Sequence, residues 1–206
     1  VVRGQYAGYL DEPGVAYGSD TETFVALRFE IDSWRWAGVP WLVRAGKHLP
    51  VSATEAVVEF ARPPRLLFLP ADGDGAEGRP SPNRLRFRLG ADAGISLELS
   101  AKVAGDRLAT HPVVLDVQAD DLFGESEQPY ERLLEDAMAG ETKRFGRADA
   151  VDEQWRIVQR VLDHPPPVQP YDRGTWGPIA AAELAEPHGG WPPPLGVTPP
   201  PAPRAR

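Results

Sequence analysis

The chain has 206 residues, of which 42% are hydrophobic and 25% are charged, so its composition is that of a folded domain and excludes wholesale disorder. Thirty acidic against 22 basic side chains give a net charge of −8, which argues against nucleic acid or an anionic membrane as the main partner. The absence of cysteine excludes disulfides and thiolate chemistry, and the lack of a signal segment or of an apolar run of about 20 residues predicts a cytoplasmic protein.

The first two thirds of the chain are predicted to form β-strands. Between residues 22 and 32, apolar side chains alternate with Arg28, Glu30 and Asp32, and this period of two is typical of an antiparallel strand with one wet face. The same pattern predicts further strands over residues 57–60, 85–89, 95–103 and 113–117. Residues 90–94 suit a hairpin connection between two of them. A large, mostly antiparallel sheet follows from these strands.

Helices are predicted only in the last third of the chain. Pro129 suits the first position of a helix that Gly140 closes, and Asp149 suits the N-cap of a second helix that must end before Pro165. A short third helix is predicted over residues 178–184. Strands followed by helices predict an α+β fold, in which the helices pack on one side of the sheet.

Two stretches are predicted to lie outside regular structure. Residues 70–83 are rich in glycine, proline and acidic residues, and we expect them to form a surface loop. Residues 187–206 contain eight prolines, so we expect an extended or disordered tail. The predicted domain therefore spans residues 1–186.

Residues 39–50 carry the strongest candidates for binding. An apolar strand leads into Arg44, and Gly46 then lets the backbone turn and present Lys47. A lysine at such a turn is a compact point charge that suits a phosphate group. Taken by themselves, the residues favour a solvated Lys47 and an ion-paired Arg44. His48 lacks the neighbouring carboxylate that would orient a general base.

The other candidates have structural explanations. Trp34 and Trp36 are expected to pack at a strand end rather than to stack on bases. Arg84, Arg86 and Arg88 form a positive stripe on one strand face, which is either solvated or ion-paired, or else an anion site or a dimer contact. The four histidines show no metal-ligand spacing, and the sequence has neither a glycine-rich dinucleotide turn nor a Walker loop. The residues alone therefore predict no metal site, no nucleotide site and no self-contained active site.

Several short motifs occur in the order in which one enzyme family carries them. They include Arg3-Gly4-Gln5-Tyr6, Thr21-Glu22-Thr23-Phe24, Ile31-Asp32-Ser33-Trp34, Arg44-Ala45-Gly46-Lys47-His48-Leu49-Pro50, Pro129-Tyr130-Glu131-Arg132-Leu133 and Gly174-Thr175-Trp176-Gly177-Pro178. With these motifs the chain resembles the carboxy-terminal domain of glucose-6-phosphate dehydrogenase, from Arg3 to about Trp191. The resemblance implies the fold of that domain, with a large antiparallel sheet and helices.

The resemblance also implies an activity for a longer enzyme, the NADP-dependent oxidation of glucose 6-phosphate to 6-phosphoglucono-1,5-lactone, the first step of the oxidative pentose phosphate pathway. In that family an amino-terminal Rossmann domain binds NADP and carries a His-Tyr-Leu-Gly-Lys motif, and nothing in this sequence matches it. No catalytic residue is therefore assigned to this chain. Lys47 matches the family's substrate lysine, so the resemblance makes it a ligand of glucose 6-phosphate. A homodimer or tetramer built through the sheet is implied as well.

Two departures from the family pattern leave a second interpretation open. Ser52 stands five residues after Lys47, where many members have a second basic residue on the substrate, and Gly90-Ala91 replaces a Gln-Pro pair. Ser52 and Arg44 are thus weaker candidates for substrate contacts than Lys47. A domain that has lost pocket residues also fits a stand-alone, non-catalytic module for dimerisation or for binding a sugar phosphate.

Overall fold

The computed structural model describes residues 1–62, 69–70, 82–90, 93–105, 109–124 and 129–195. The chain forms two compact units. The first unit combines Val1–Ser52 with Glu141–Pro193, and the second is formed mainly by Ala53–Gly140. The first unit is therefore built from an early and a late part of the sequence, and the second unit is inserted between them.

Strands dominate the early part of the chain and helices the late part. The strands are β1 (Val2–Tyr6), β2 (Phe24–Phe29), β3 (Trp41–Gly46), β4 (Glu55–Glu59), β5 (Leu69–Pro70), β6 (Arg84–Arg88), β7 (Gly94–Lys102), β8 (Ala109–Gln118) and β9 (Val168–Tyr171). The α-helices are α1 (Ala119–Phe123), α2 (Pro129–Ala139), α3 (Ala148–Asp163) and α4 (Ile179–Ala185). Single turns of 3-10 helix lie at Tyr9–Asp11 and Glu186–His188.

The sheet of the first unit has the strand order β3-β2-β1-β9. β1 pairs antiparallel with β2 and parallel with β9, so Arg3 lies beside both Val25 and Val168. β2 pairs antiparallel with β3, with Phe24 opposite Gly46. The start of β2 and the end of β3 therefore meet at one edge of the buried cluster. That cluster contains Val2, Tyr6, Phe24, Ala26, Tyr171 and Ala181.

The sheet of the second unit has the strand order β4-β6-β7-β8-β5. Its first four strands are antiparallel neighbours, and straight cross-strand rows run through them, as in Val58, Leu85, Leu97 and Leu115. Because side chains alternate along a strand, these rows place apolar residues on one face and charged residues on the other. The apolar face is the exposed one, and Leu115 on this face is 55% exposed.

The opposite face of that sheet carries a network of ion pairs. Arg86 on β6 is only 2% exposed and lies between two glutamates from the neighbouring strands β4 and β7. The arginine stripe is thus an ion-paired face rather than an anion site, because carboxylates already occupy its guanidinium groups. The pairs are Arg84–Glu59 at 2.9 Å, Arg86–Glu55 at 2.5 Å, Arg86–Glu98 at 2.9 Å and Arg88–Asp116 at 2.6 Å.

The predicted α+β class is confirmed, and the predicted strands and helices correspond to β2, β4, β6, β7, β8, α2, α3 and α4. The strands expected in one large sheet are divided between two sheets of four and five strands. The pattern also gave no sign of β1 or β9. β9 contains Pro170, which a strand tolerates here because β9 lies at the edge of its sheet.

Part of the stretch expected to be an extended or disordered tail forms regular structure. His188 closes a 3-10 turn, and Trp191 donates its indole N–H to the Ala181 carbonyl at 2.7 Å. A tryptophan ring has a large apolar area and a hydrogen-bond donor. The contacts of Trp191 order this stretch although the residues around it are rich in proline. Three predicted stretches lie partly outside the described residues: residues 196–206 of the tail, 71–81 of the loop and 91–92 of the hairpin.

Candidate functional site

The turn after β3 presents Lys47 at the surface of the first unit. Phe24 packs so closely over Gly46 that a Cβ there would lie 2.7 Å from the ring, so only glycine fits. The Lys47 amide donates to the Thr23 carbonyl at 2.9 Å, and His48 follows with a φ of 51°, in the left-handed region. The chain was predicted to turn at Gly46, but Gly46 is still in β3, and the backbone bends at Lys47 and His48. Lys47 is exposed at this bend.

An open groove of about 630 Å³ lies beside this turn, entirely within the first unit. This volume is within the usual range of small-molecule sites. The wall combines aromatic rings, a hydroxyl group and ionisable side chains, which suits a small polar ligand better than an apolar one. The wall includes Tyr6, Tyr9, Glu22, Thr23, Lys47 and His48.

Lys47 supplies the groove with an ammonium group that is available to a ligand. In the part of the chain that the structure describes, Lys47 forms no ion pair. The carboxylate in the groove wall, Glu22, is held by Arg3, whose Nη2 lies 2.8 Å from Glu22 Oε2. This hydrogen bond lowers the pKa of Glu22, so that its charge is retained and is already compensated at neutral pH.

A late segment of the chain holds the tip of the turn from the core side. The Tyr171 hydroxyl, at the end of β9, donates to the Lys47 carbonyl at 2.8 Å. The Tyr171 oxygen also lies 3.2 Å from Thr23 Oγ1. The amide of Gly174 donates to the His48 carbonyl at 2.8 Å. Both carbonyls at the tip are thus bonded to residues that follow more than 120 positions later.

His48 has an aromatic neighbour rather than an acidic one. Its ring centroid lies 4.4 Å from that of Tyr6, at an interplanar angle of 76°. Arg173 covers the same Tyr6 ring, with its Cζ 4.7 Å from the centroid, and pairs with Glu12 at 2.9 Å. Among the residues with described positions, no carboxylate is placed to orient His48 as a general base.

Arg44, one of the two weaker candidates, lies between two tryptophan rings. Its Cζ is 4.5 Å from the ring centroid of Trp176 and 4.8 Å from that of Trp191. Burial lowers the pKa of Arg44 to about 10. The ion pair expected for it is not found in the described chain, because the two rings take the place of a carboxylate. Neither Arg44 nor the exposed Ser52 is among the groove-lining residues of the described chain.

The two early tryptophans behave differently from each other. Trp36 packs edge-on against Trp41 at a centroid distance of 5.0 Å, as predicted, whereas Trp34 is 90% exposed. No local pattern indicated the side chains that hold Lys47 and Arg44, because Tyr171 and Trp191 are distant from them along the chain. Only the motif around Trp176 drew attention to that part of the chain.

The described residues include no group of three or more histidine, aspartate or glutamate side chains placed to hold a metal ion. None of the helices in the described ranges is both long and apolar enough to cross a membrane. The described residues also do not fit the NADP that the resemblance implies. β1, β2 and β3 are antiparallel neighbours. The helix α1, which follows β8 directly, carries Asp120 and Asp121 in its first turn, and their charges disfavour a pyrophosphate.

Solved structures share this fold. The glucose-6-phosphate 1-dehydrogenase of Mycobacterium avium matches with a TM-score of 0.81 and 45% identity, covering 96% of this chain and 41% of that chain. A glucose-6-phosphate dehydrogenase in complex with its substrate glucose-6-phosphate matches with a TM-score of 0.76 and 28% identity, covering 91% of this chain and 40% of that chain. The fold is therefore one found within sugar-phosphate dehydrogenases.

Sequence comparison then gives the family. Residues 1–192 match the model of the glucose-6-phosphate dehydrogenase C-terminal domain, and the chain belongs to this family. Glucose-6-phosphate 1-dehydrogenase 1 of Mycobacterium tuberculosis is 46% identical over 195 residues, which cover 92% of this chain and 39% of the relative. The chain thus spans about two fifths of the length of this curated relative. The resemblance drawn from the ordered motifs is confirmed.

Proposed function

We propose that this chain supplies the substrate-binding and dimerisation domain of an NADP-dependent glucose-6-phosphate dehydrogenase. The enzyme oxidises glucose 6-phosphate to 6-phosphoglucono-1,5-lactone in the cytoplasm, as the first step of the oxidative pentose phosphate pathway. Family membership supports the proposal, and one observation carries it. Lys47 stands on a turn held by several hydrogen bonds, beside a groove, and has no ion-pair partner among the described residues.

Lys47 binds the phosphate group of the sugar. A charge-assisted hydrogen bond between an ammonium and a phosphate dianion contributes about 1.5–3 kcal/mol. Glu22 does not compete for the ammonium, because Arg3 already holds its carboxylate. The contribution of Lys47 is positioning, since a sugar anchored by its phosphate is kept in register for hydride transfer. No residue of this chain is assigned to making or breaking a bond.

NADP would supply the hydride acceptor and would be held by a part of the enzyme that these 206 residues do not include. The described residues do not fit the dinucleotide, so none of them is given a role toward it. We therefore expect the isolated chain to form no NADPH from glucose 6-phosphate and NADP. A measurable increase in NADPH absorbance with the pure chain contradicts the proposal that NADP is bound outside this chain.

Ligand protection tests the role of Lys47. Glucose 6-phosphate at millimolar concentration is expected to raise the melting temperature of the chain, because a ligand that binds only the folded state stabilises it. Glucose without the phosphate should give no shift, and Lys47→Ala should abolish the shift seen with the sugar phosphate. Lys143→Ala is the matched control, since Lys143 is an exposed lysine 4.0 Å from Glu141 and outside the groove. The substrate-binding proposal is overturned if glucose 6-phosphate leaves the melting temperature of both the wild-type chain and Lys143→Ala unchanged. That result favours a module for dimerisation alone.

The exposed apolar face of the second unit is the proposed subunit contact. It runs across four strands, and its members Val58, Ile95, Val113, Leu115 and Val117 are between 37% and 55% exposed. Contiguous apolar patches of this kind are unusual on a monomer. A second copy of the chain covers the patch when the same face of each copy meets across a twofold axis. The charged face is unsuited to this role because its arginines are already paired within the sheet.

Sedimentation analysis tests this contact. We expect the wild-type chain to sediment as a dimer or tetramer and Leu115→Glu to sediment as a monomer, because a carboxylate in an apolar interface is strongly disfavoured. Ile179→Glu is the control, since Ile179 is 81% exposed at the start of α4 in the other unit. A Leu115→Glu variant with the oligomeric state of the wild type rules out this face as the contact.

A further inference from the structure

A series of hydrogen bonds links the core of the first unit to the backbone of Lys47. The Tyr6 amide donates to Thr23 Oγ1 at 3.1 Å, Thr23 Oγ1 lies 3.2 Å from the Tyr171 oxygen, and Tyr171 donates to the Lys47 carbonyl at 2.8 Å. Each hydroxyl has a single proton to donate. The shortest bond of Tyr171 is the one to the Lys47 carbonyl, so Thr23 is left to donate to the Tyr171 oxygen at 3.2 Å or to the Gly4 carbonyl at 3.5 Å. Every group in the series is then satisfied, and each bond polarises the next.

The tyrosine in this series cannot follow a displaced turn, because packing fixes its ring. Tyr171 is 5% exposed, and its ring centroid lies 5.5 Å from that of Phe24 and 6.5 Å from that of Tyr6. It is not among the groove-lining residues of the described chain, so it does not touch a ligand there. Its hydroxyl acts on the groove through the Lys47 carbonyl and through Thr23.

We propose that Tyr171, assisted by Thr23, is a positioning residue that sets the direction of the Lys47 ammonium. A fixed carbonyl fixes the peptide plane after Lys47, and with the Lys47 amide held by the Thr23 carbonyl, the backbone of this residue is restrained on both sides. The Cβ of Lys47 then points in one direction, into the groove. This inference rests on the proposed function, because it concerns how the same lysine reaches the phosphate.

Tyr171→Phe removes one oxygen and keeps the ring in the core. We expect the affinity for glucose 6-phosphate, measured by calorimetry on the full chain, to fall about fivefold, as befits one lost hydrogen bond. Hydrogen exchange gives a second readout. The amides of Lys47 and Gly174 should exchange about fivefold faster, while the amides of β2 keep their wild-type rates.

Matched variants separate positioning from general loss of structure. Tyr17→Phe makes the same chemical change at a fully exposed tyrosine and should alter nothing. Thr23→Val breaks the series and should speed the exchange of the Lys47 amide as Tyr171→Phe does. Because Thr23 lines the groove, only hydrogen exchange is compared for this variant. If Tyr171→Phe does not fold, the exchange of Lys47 in Thr23→Val decides the matter.

Wild-type affinity in Tyr171→Phe, or exchange that is faster throughout the sheet instead of at the turn, overturns the inference and leaves the proposed function standing. A wild-type chain that does not bind glucose 6-phosphate overturns the proposed function. In that case the hydrogen exchange of Tyr171→Phe decides whether Tyr171 holds the turn. An unchanged exchange rate of the Lys47 amide in this variant rejects that role.

Discussion

The ring of Phe24 lies directly against Gly177. A Cβ at Gly177 would overlap the ring of Phe24, and Gly177 has a φ of +96°, which side chains disfavour. The same ring also closes over Gly46, at the base of the Lys47 turn. The Phe24 side chain of β2 therefore packs between Gly46 and Gly177. Through this ring, the motif around Gly177 supports the Lys47 turn without contacting it directly.

Gly177→Ala is expected to destabilise the first unit by more than the same substitution at Gly174. Gly174 has a φ of +79° with open space around it, so its substitution adds only backbone strain, about 1–2 kcal/mol. At Gly177 overpacking against Phe24 adds about 1–3 kcal/mol. Urea denaturation followed by circular dichroism measures both variants. Equal losses at the two positions would show that the ring moves aside at no cost.

Arg44→Lys is expected to lower the stability of the first unit by about 1 kcal/mol. A guanidinium is flat and covers both the Trp176 and the Trp191 ring, whereas an ammonium stacks on neither. Thermal unfolding measures the difference. Arg35→Lys makes the same exchange at an exposed arginine and provides the baseline. An Arg44→Lys variant as stable as the wild type contradicts a stabilising role for the stacked guanidinium.

Arg86→Ala is expected to destabilise the second unit by about 3–5 kcal/mol, because it leaves two carboxylates on a buried face without their shared cation. Glu55 and Glu98 both lie within 3 Å of Arg86. Arg156→Ala breaks an exposed pair with Glu153 on α3 and should cost at most about 1 kcal/mol. Denaturant unfolding of both variants gives the comparison, and similar losses for the two contradict the distinction between buried and exposed pairs.

Glu22 should make the stability of the first unit depend on pH in the acidic range. Its folded pKa lies below the unfolded value because Arg3 donates to the carboxylate. The stabilisation is therefore present above the unfolded pKa and is lost as the pH falls below the unfolded pKa and through the folded one. The melting temperature of Glu22→Gln should fall less steeply over this range.

The corresponding control for Glu22 is Glu30→Gln, which removes one carboxylate from the exposed pair with Arg28 and so matches the change in net charge. The melting temperatures of Glu22→Gln and the wild type should approach each other as the pH falls. If the difference between their melting temperatures is the same at every pH, the ion pair between Glu22 and Arg3 does not stabilise the fold.

Local patterns were enough to predict most strands and most helices. The alternation along β2 depends only on neighbouring residues, and the fold keeps it. The turn predicted at Gly46 falls at Lys47 and His48, because Gly46 is still paired with Phe24 of β2. The arginine stripe on β6 was left undecided because the answer depends on the adjacent strands. Glu55 and Glu98 become partners of Arg86 only once β4 and β7 flank β6.

Contacts between distant segments could not be predicted from any such pattern. Tyr171 follows Lys47 by 124 positions and lies in β9, a strand that no local pattern predicted. Trp191 lies in a proline-rich stretch that predicted a tail, yet its ring covers Arg44. The positions of Tyr171 and Trp191 are decided by packing against residues that are distant in sequence. These contacts exist only in the folded chain.

The pairing of β1 with β9 also has a consequence for the order in which the protein is made. Arg3 donates to the carbonyl of Pro166, 163 positions later. During translation, β1 therefore stays unpaired on this edge for on the order of ten seconds, until β9 has been synthesised. The second unit pairs mostly strands that are close in sequence and can form in that interval. A chain that stops before β9 therefore retains the sheet proposed for dimerisation and loses Tyr171, the support of its phosphate-binding lysine.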